Sequence, residues 1–338
     1  VIKVARVNNF HAIGRGRGIL LSALIINFSY FWMQPAQAQA NYPYKPVRLI
    51  VPSAAGGSPD VICRLAANEL AQALGQPIVV DNKPGAGGAI AMQELAAAPP
   101  DGYTIGYGNV VTLAINKSLY AKLAYDPDAF TGIAVLGSVQ NALVLRNGLP
   151  IKNVQELIAH ARAHPGKLSM GSAGNGTTGH LGGELFKAMT GTDITHVPYR
   201  GSPMAIQDLI GGQIDLMFDN LSSIGPHIRS GRVRALGLSG SRRSALFPQV
   251  PTIQEAGVKG YETTAWGGII GPKGMPNNVV DRLNAEINRL LALPAVREKY
   301  DQLSFETMQS TPSLLMTMAT VERPRWAEVI RRSGAKID

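Results

Sequence analysis

One junction recurs along this sequence and constrains its fold more than any other feature: a short β-branched run, a loop of glycine and other small residues, then an amphipathic helix. The first example joins a strand over 47–51 to a helix over 60–74. In that helix Val61, Ile62, Leu65, Ala66, Leu70 and Leu74 fall at helical spacing, and Gly75 and Pro77 stop it. A second strand follows over 78–80. Two strands joined through a helix run parallel, because only a crossover of that length returns the chain in the same direction.

The alternation continues with a helix over 89–97 and a strand over 104–107. After Pro127 come two separate apolar runs, 133–136 and 142–145, and then the pattern restarts. Asn153 and Glu156 form a capping-box signature ahead of a helix over 154–163. Strands over 168–171, 195–198, 214–218 and 233–238 alternate with helices over 180–189 and 204–210. Past Tyr261 the sequence offers a strand over 266–270 and helices over 279–291, 295–303 and 313–331. These three helices have no third sheet to cover and are expected to return to the first lobe. The expected layout is therefore a first lobe of 41–143 and 265–338, a second of 144–264, and a hinged cleft where the chain crosses between them. The 338 residues, 45% hydrophobic and 16% charged, suffice for two such cores.

Residues 1–40 read differently. Lys3, Arg6, Arg15 and Arg17 precede an apolar run over 19–33, and Ala36-x-Ala38 and Ala38-x-Ala40 offer small-residue cleavage sites. The run is shorter than the roughly 20 residues needed to span a bilayer, so the segment is expected to be a cleaved signal peptide and the destination the periplasm. Its loss changes the charge balance from 32 − 23 = +9 to 28 − 23 = +5, a moderate excess that would attract an anion. No basic run with interleaved aromatics is present, so nucleic acid is not an expected partner. The single cysteine, Cys63, forms no intrachain disulfide and is expected to pack on a helix.

In parallel α/β sheets ligands bind where strand ends lead into helix N-termini. Ahead of the 60–74 helix stands Pro52-Ser53-Ala54-Ala55-Gly56-Gly57-Ser58-Pro59, with Ser58 expected as N-cap and Pro59 at N1. Its small residues bring bare N–H groups close to an anion on the helix end. The other lobe repeats the device in Ser172-Ala173-Gly174-Asn175-Gly176-Thr177-Thr178-Gly179, where side-chain donors are added. Two such loops facing across a hinge are best explained by a ligand that both grip. Hydrogen bonds to a charged group contribute about 1.5–3 kcal/mol each, so a few reach the roughly −8 kcal/mol of micromolar binding without a buried salt bridge.

Other chemistries fit less well. Neither loop carries the lysine of a Walker A motif, and Gly85-Ala86-Gly87-Gly88 and Gly106-Tyr107-Gly108 fall short of a dinucleotide fingerprint. Ser172 lacks the Gly-x-Ser-x-Gly spacing of a nucleophile elbow. His160 and His164 share a helix face with no third metal ligand in sight. No catalytic residue, metal or cofactor is expected. Asp219 and Asn220, at a strand end on the cleft side, are open to reading as ligand contacts or as a turn.

These loops belong to a longer set of motifs: Pro46-Val47-Arg48-Leu49-Ile50-Val51-Pro52, Asp81-Asn82-Lys83-Pro84-Gly85-Ala86-Gly87-Gly88, Pro100-Asp101-Gly102-Tyr103-Thr104, His196-Val197-Pro198-Tyr199-Arg200-Gly201, Asp215-Leu216-Met217-Phe218-Asp219-Asn220 and Asp281-Arg282-Leu283-Asn284. With them the chain resembles the Bug family, the substrate-binding receptors of tripartite tricarboxylate transporters, from Tyr44 to the C-terminus. The resemblance implies a type II periplasmic-binding-protein fold closing over a di- or tricarboxylate, an amino acid or an aromatic acid. It implies carboxylate contacts from Ala54, Ala55 and Gly56 in the first lobe and from Ser172, Ala173, Gly176 and Thr177 in the second, with Asn109 and Asp219 tuning the ligand's other end. The family usually carries Phe-Pro where this chain has Ser53-Ala54, and Thr where it has Pro59. The loss of an aromatic at Ser53 is expected to enlarge or wet one wall. The implied partners are the membrane subunits of the transporter, met transiently by a monomer. Two alternatives remain: a receptor that reports its ligand to a membrane signalling partner, and an exported hydrolase using Ser172.

Overall fold

In the computed structural model, strand β4 (Thr131–Arg146) organises the molecule, because its two ends belong to different neighbourhoods. The structure describes residues 42–335; the expected signal peptide, 1–40, lies outside them. From Thr131 to Gln140, β4 pairs antiparallel with β9 (Thr264–Gly271), and at Gly137–Val139 it also takes β10 (Phe305–Thr307). From Asn141 onward its partners are β7 (Leu216–Asn220) and β8 (Val233–Leu238), again antiparallel. The apolar runs 133–136 and 142–145 are thus two stretches of one strand. Between them Gly137, at φ +150°, takes up a register shift, and a Cβ there would sit 2.0 Å from the Glu306 carbonyl oxygen. Only glycine lets β10 approach so closely.

The remaining strands extend the sheet in both directions, in the order β2-β1-β3-β9-β4-β7-β5-β6. On one side stand β3 (Thr104–Asn109), β1 (Val47–Val51) and β2 (Ile78–Asn82); on the other, β5 (Ser169–Ser172) and β6 (Thr195–Pro198). The outer pairs β1–β2, β1–β3, β5–β6 and β5–β7 are parallel, as the strand–helix–strand units require. The crossing strands β4 and β9 run antiparallel to their neighbours. The chain passes between the two strand groups on β4 and returns between β8 and β9.

Helix α1 (Ser58–Leu74) ends on Gly75 in the left-handed conformation, as its sequence predicts. It begins earlier than predicted, however. Gly57 takes the N-cap position, so Ser58 falls in the first turn and its hydroxyl has no hydrogen-bond partner. Next come α2 (Ala89–Ala96), a π turn (Val111–Ile115) running into α3 (Asn116–Leu119), and α4 (Val154–Ala163), where the Asn153 side chain accepts the Glu156 N–H at 2.9 Å. The second strand group carries α5 (Thr178–Thr190), α6 (Ser202–Ile210) and α7 (Leu221–Arg229). Helix α7 is hidden from apolar periodicity by Ser222, Ser223 and Pro226.

Of the three C-terminal helices, α8 (Asn277–Ala292) packs on α1 and β4, and α9 (Pro294–Asp301) on α8 and β10. Helix α10 (Leu314–Ser333) does more: it lies on the Val111–Ile115 turn and on α5, and so touches both groups. Arg323 ties it to the Leu113 carbonyl at 3.0 Å and Arg325 to that of Glu262. Cys63 is wholly buried in α1. Among the described residues no helix is long and apolar enough to cross a membrane, and no cluster of three metal-ligating side chains occurs; His160 and His164 simply face each other at 4.5 Å.

Candidate functional site

The loops after β1, β5 and β6 converge on one cleft of about 700 Å³ whose floor is made by the crossing strands. The first loop is shaped by Asp60, a carboxylate only 3% exposed. It accepts the Gly56 N–H at 2.8 Å, the Asn82 amide at 2.9 Å and Arg64 Nε at 3.1 Å, and Asn82 also holds the Ser53 carbonyl at 3.1 Å. Burial pushes its pKa up, but the donors from Arg64, Gly56 and Asn82 outweigh this and leave the carboxyl below the ordinary 3.8. Gly56, at φ +80°, makes the turn. The outcome is a loop in which the N–H groups of Ala54 and Ala55 have no partner among the described residues.

The second loop is built differently. Ser172 is fully buried, and its hydroxyl bonds His196 Nε2 at 2.7 Å and the Gly174 backbone at 3.2 Å. The Gly176 N–H donates to His180 Nδ1 at 3.0 Å, which fixes that nitrogen as unprotonated. Thr177 caps α5 by accepting the His180 N–H, and its own hydroxyl donates to the Gly174 carbonyl at 2.7 Å. The two imidazoles stack at 4.0 Å and 19°. Burial, then the neighbouring His196 and Lys187, lowers the pKa of His180 to about 3; burial and Lys187 lower that of His196 to about 4. Here the N–H groups of Ala173 and Asn175 have no partner among the described residues.

The third loop, Pro198 to Ser202, crosses to meet the first. A Cβ on Gly201 would lie 2.7 Å from the Ala54 Cβ, so the two strand groups touch at this point. Ser202 and Ser223 donate their hydroxyls to Asp219, whose pKa burial raises to about 6 despite both bonds. Arg200 lines the cleft, stands exposed, and among the described residues makes no ion pair or side-chain hydrogen bond. Arg200 and Asp219 are the only charged residues among those lining the cleft.

Of the residues expected from sequence, Ala54, Asn109, Ala173, Thr177 and Asp219 line the cleft. Ala55, Gly56, Ser172 and Gly176 lie in its supporting loops, where the amides of Gly56 and Gly176 and the hydroxyl of Ser172 are spent internally. Asn109 likewise uses its side-chain oxygen to cap Val111 and Thr112 at 3.0 and 3.1 Å. Ser53 lines the wall, as the missing aromatic implied. Asn220, which the sequence left open between ligand contact and turn, also lines the cleft, as does Ser58, which was expected only as a cap; sequence reasoning passed over Arg200, Tyr107 and Trp266. Arg200 was findable, since Tyr199-Arg200-Gly201-Ser202 is a third strand-to-helix junction with glycine in it. Trp266 sits in an apolar strand that reads only as core.

Comparison with known proteins places this site in context. The model of the tripartite tricarboxylate transporter family receptor matches residues 62–335. Protein BugT of Bordetella pertussis is 36% identical over 298 residues, 88% of this chain and 91% of its own. Among solved structures, Rpa4515 of R. palustris, with adipate, is 36% identical with a TM-score of 0.86, over 88% of this chain and 100% of its own. MatC of Rhodopseudomonas palustris, with bound malate, is 35% identical with a TM-score of 0.81, over 86% of this chain and 100% of its own.

Proposed function

Because this chain belongs to the tripartite tricarboxylate transporter receptor family, we propose that it is a periplasmic receptor that captures a small carboxylate between two lobes and delivers it to a membrane transporter. The observation that carries this reading is the set of unpartnered backbone N–H groups at Ala54 and Ala55 on one side and Ala173 and Asn175 on the other, at loops bordering one cleft. Donors fixed in place before binding lose no entropy when the anion arrives. The adipate and malate in the related structures are small carboxylates.

In this reading Ala54, Ala55, Ala173 and Thr177 meet the carboxylate, while Gly56, Ser172 and Gly176 shape the loops, and Asn109 and Asp219 act from the sides. The lobes are 41–143 with 265–338, and 144–264. The change of β4 partners between Gln140 and Asn141 and the start of β9 at Thr264 support those limits to within a few residues. The hinge is then β4 and the segment entering β9. Export through segment 1–40 and transient docking of a monomer on transporter subunits complete the proposal. Ser172 is a loop-ordering residue rather than a nucleophile, since it is wholly buried and does not line the cleft.

A thermal-shift panel of mono-, di- and tricarboxylates tests the reading. A ligand at 100 times Kd adds about 2.7 kcal/mol of stability, so at least one carboxylate should raise Tm clearly. No shift with any carboxylate, alongside a shift with another class of solute, would remove it.

A further inference from the structure

Asp219 is the only acid among the residues lining the cleft, and it lies where the three loops meet. It follows Phe218, whose carbonyl oxygen is so close to the start of α5 that a Cβ on Gly179 would stand 2.2 Å from it. One Asp219 oxygen receives the hydroxyl of Ser202, which follows Gly201, and the Gly201 backbone reaches Ala54 of the first loop. The other oxygen receives the Ser223 hydroxyl. The side chain is buried, and among the described residues no cation pairs with it.

The charges on the elements packed against β7 are engaged elsewhere. On α5, Glu184 and Lys187 pair at 2.9 Å, and burial holds the pKa of His180 at about 3. On α6, Asp208 accepts the Tyr199 hydroxyl at 2.7 Å, and on β4, Arg146 pairs with Asp215 at 2.9 Å. Helix α7 carries His227 and Arg229 in its last turn, the arginine over the Phe247 ring at 5.9 Å, and β5 has no titratable side chain. What acts on Asp219 is therefore burial, opposed by the donors from Ser202, Ser223 and the Asn220 backbone, and together they set its pKa at about 6.

An anion settling on the loop amides adds a negative charge near a carboxyl without a counter-ion. At a separation of ~10 Å and an effective dielectric of about 20, such a charge raises the proton affinity of an acid about tenfold. The serine hydroxyls rotate, so one can accept from a protonated carboxyl while the other still donates. We infer that carboxylate capture is proton-linked: as the ligand settles on the amides of the two loops, an Asp219 oxygen takes up a proton from solvent, and the closed receptor holds carboxylate and proton together. The inference rests on the carboxylate-receptor reading and adds a proton to what that receptor binds.

The sign follows from linkage. Below pH 6 Asp219 is already protonated in the free receptor, and well above its raised pKa it is ionised in both states, so uptake is confined to the window between. Titration calorimetry with adipate, malate and benzoate, in two buffers of different ionisation enthalpy and corrected for the ligand's own protons, counts it. For a tenfold change in proton affinity the expected uptake is about half a proton per ligand near pH 6.5, with binding about fivefold weaker at pH 8 than at pH 6. Asp219→Asn should remove both effects. Ser223→Ala, which takes a donor from the ionised form, should move the uptake to higher pH, a displacement that a merely structural role would not produce. Binding without uptake, or an affinity that rises with pH, overturns the inference and leaves the receptor reading standing. Uptake that persists in Asp219→Asn overturns the assignment to that residue; if this variant does not bind, an unmoved window in Ser223→Ala does the same. No binding by any carboxylate of the wider panel overturns the reading and the inference together.

Discussion

The two loops that face each other across the cleft arrive at similar backbone by opposite chemistry. In the first, a buried charge does the ordering: Asp60 gathers the Gly56 N–H, Asn82 and Arg64 around one carboxylate. In the second, two neutral imidazoles stacked at 4.0 Å do it, one accepting the Gly176 N–H and the other bonded to Ser172. A carboxylate ligand explains why neither loop places its charge in the cleft. Asp60 is enclosed behind the first loop, and the histidines of the second are kept uncharged. The backbone amides without a partner among the described residues are those of Ala54 and Ala55 in the first loop and of Ala173 and Asn175 in the second.

The comparison can be broken first by size. The second loop leads into a helix packed so tightly that a Cβ on Gly179 would stand 2.2 Å from the Phe218 carbonyl oxygen, whereas one on Gly57 in the first loop meets nothing nearer than 3.2 Å. Gly179→Ala should therefore destabilise by about 3 kcal/mol and Gly57→Ala by under about 1, measured by urea unfolding; equal costs would show the loops to be equally packed. Charge comes next. Asp60→Ala strands three donors and should cost about 2–3 kcal/mol, against about 1 for Ser172→Ala, which removes a neutral hydroxyl.

Acid should separate the loops by pH window. The histidines sit at about 3 and about 4 in the native protein and at about 6.5 unfolded, so the unfolded chain binds more protons between those values. Their contribution is complete above pH 6.5 and is lost as pH falls toward 4, by up to about 1.4 kcal/mol per pH unit for each. Asp219, raised to about 6, gives the opposite slope between 3.8 and 6, so the quantity to measure is the difference between the protein and a His180→Gln/His196→Gln variant. That difference should flatten above pH 6.5. Asp60, held below 3.8, keeps its contribution through this range and loses it only as pH drops below 3.8. The smallest effect is expected at Arg64, whose side chain is 54% exposed: Arg64→Gln should cost under about 1 kcal/mol, and a larger loss would mean that Asp60 depends on its counter-ion more than on Gly56 and Asn82.

Much of this architecture was legible in the sequence because local rules and tertiary structure agree. Gly75 stops α1, Asn153 caps α4, and the two glycine-rich loops lie where strand meets helix. The misreadings have physical causes. Periodicity sees β4 as two runs because Gly137, Ser138, Gln140 and Asn141 carry backbone pairing without apolar side chains. Ser58 looks like a cap by type, but the chain turns at Gly57 and leaves the hydroxyl unbonded. In the site, small residues reveal where backbone approaches a ligand but not which N–H groups are already used. Gly56 and Gly176 look as available as Ala54 and Ala173 until Asp60 and His180, each four residues downstream, are seen to claim them.

Strand β4 carries a consequence for how this chain comes apart. Its first ten residues complete one half of the sheet and the remainder completes the other, and α10 lies across both. Neither half can lose its edge without taking β4 from its neighbour. Denaturation should then be a single cooperative event, with fluorescence of Trp266 and Trp326 and far-ultraviolet ellipticity changing together rather than in two independent melting steps.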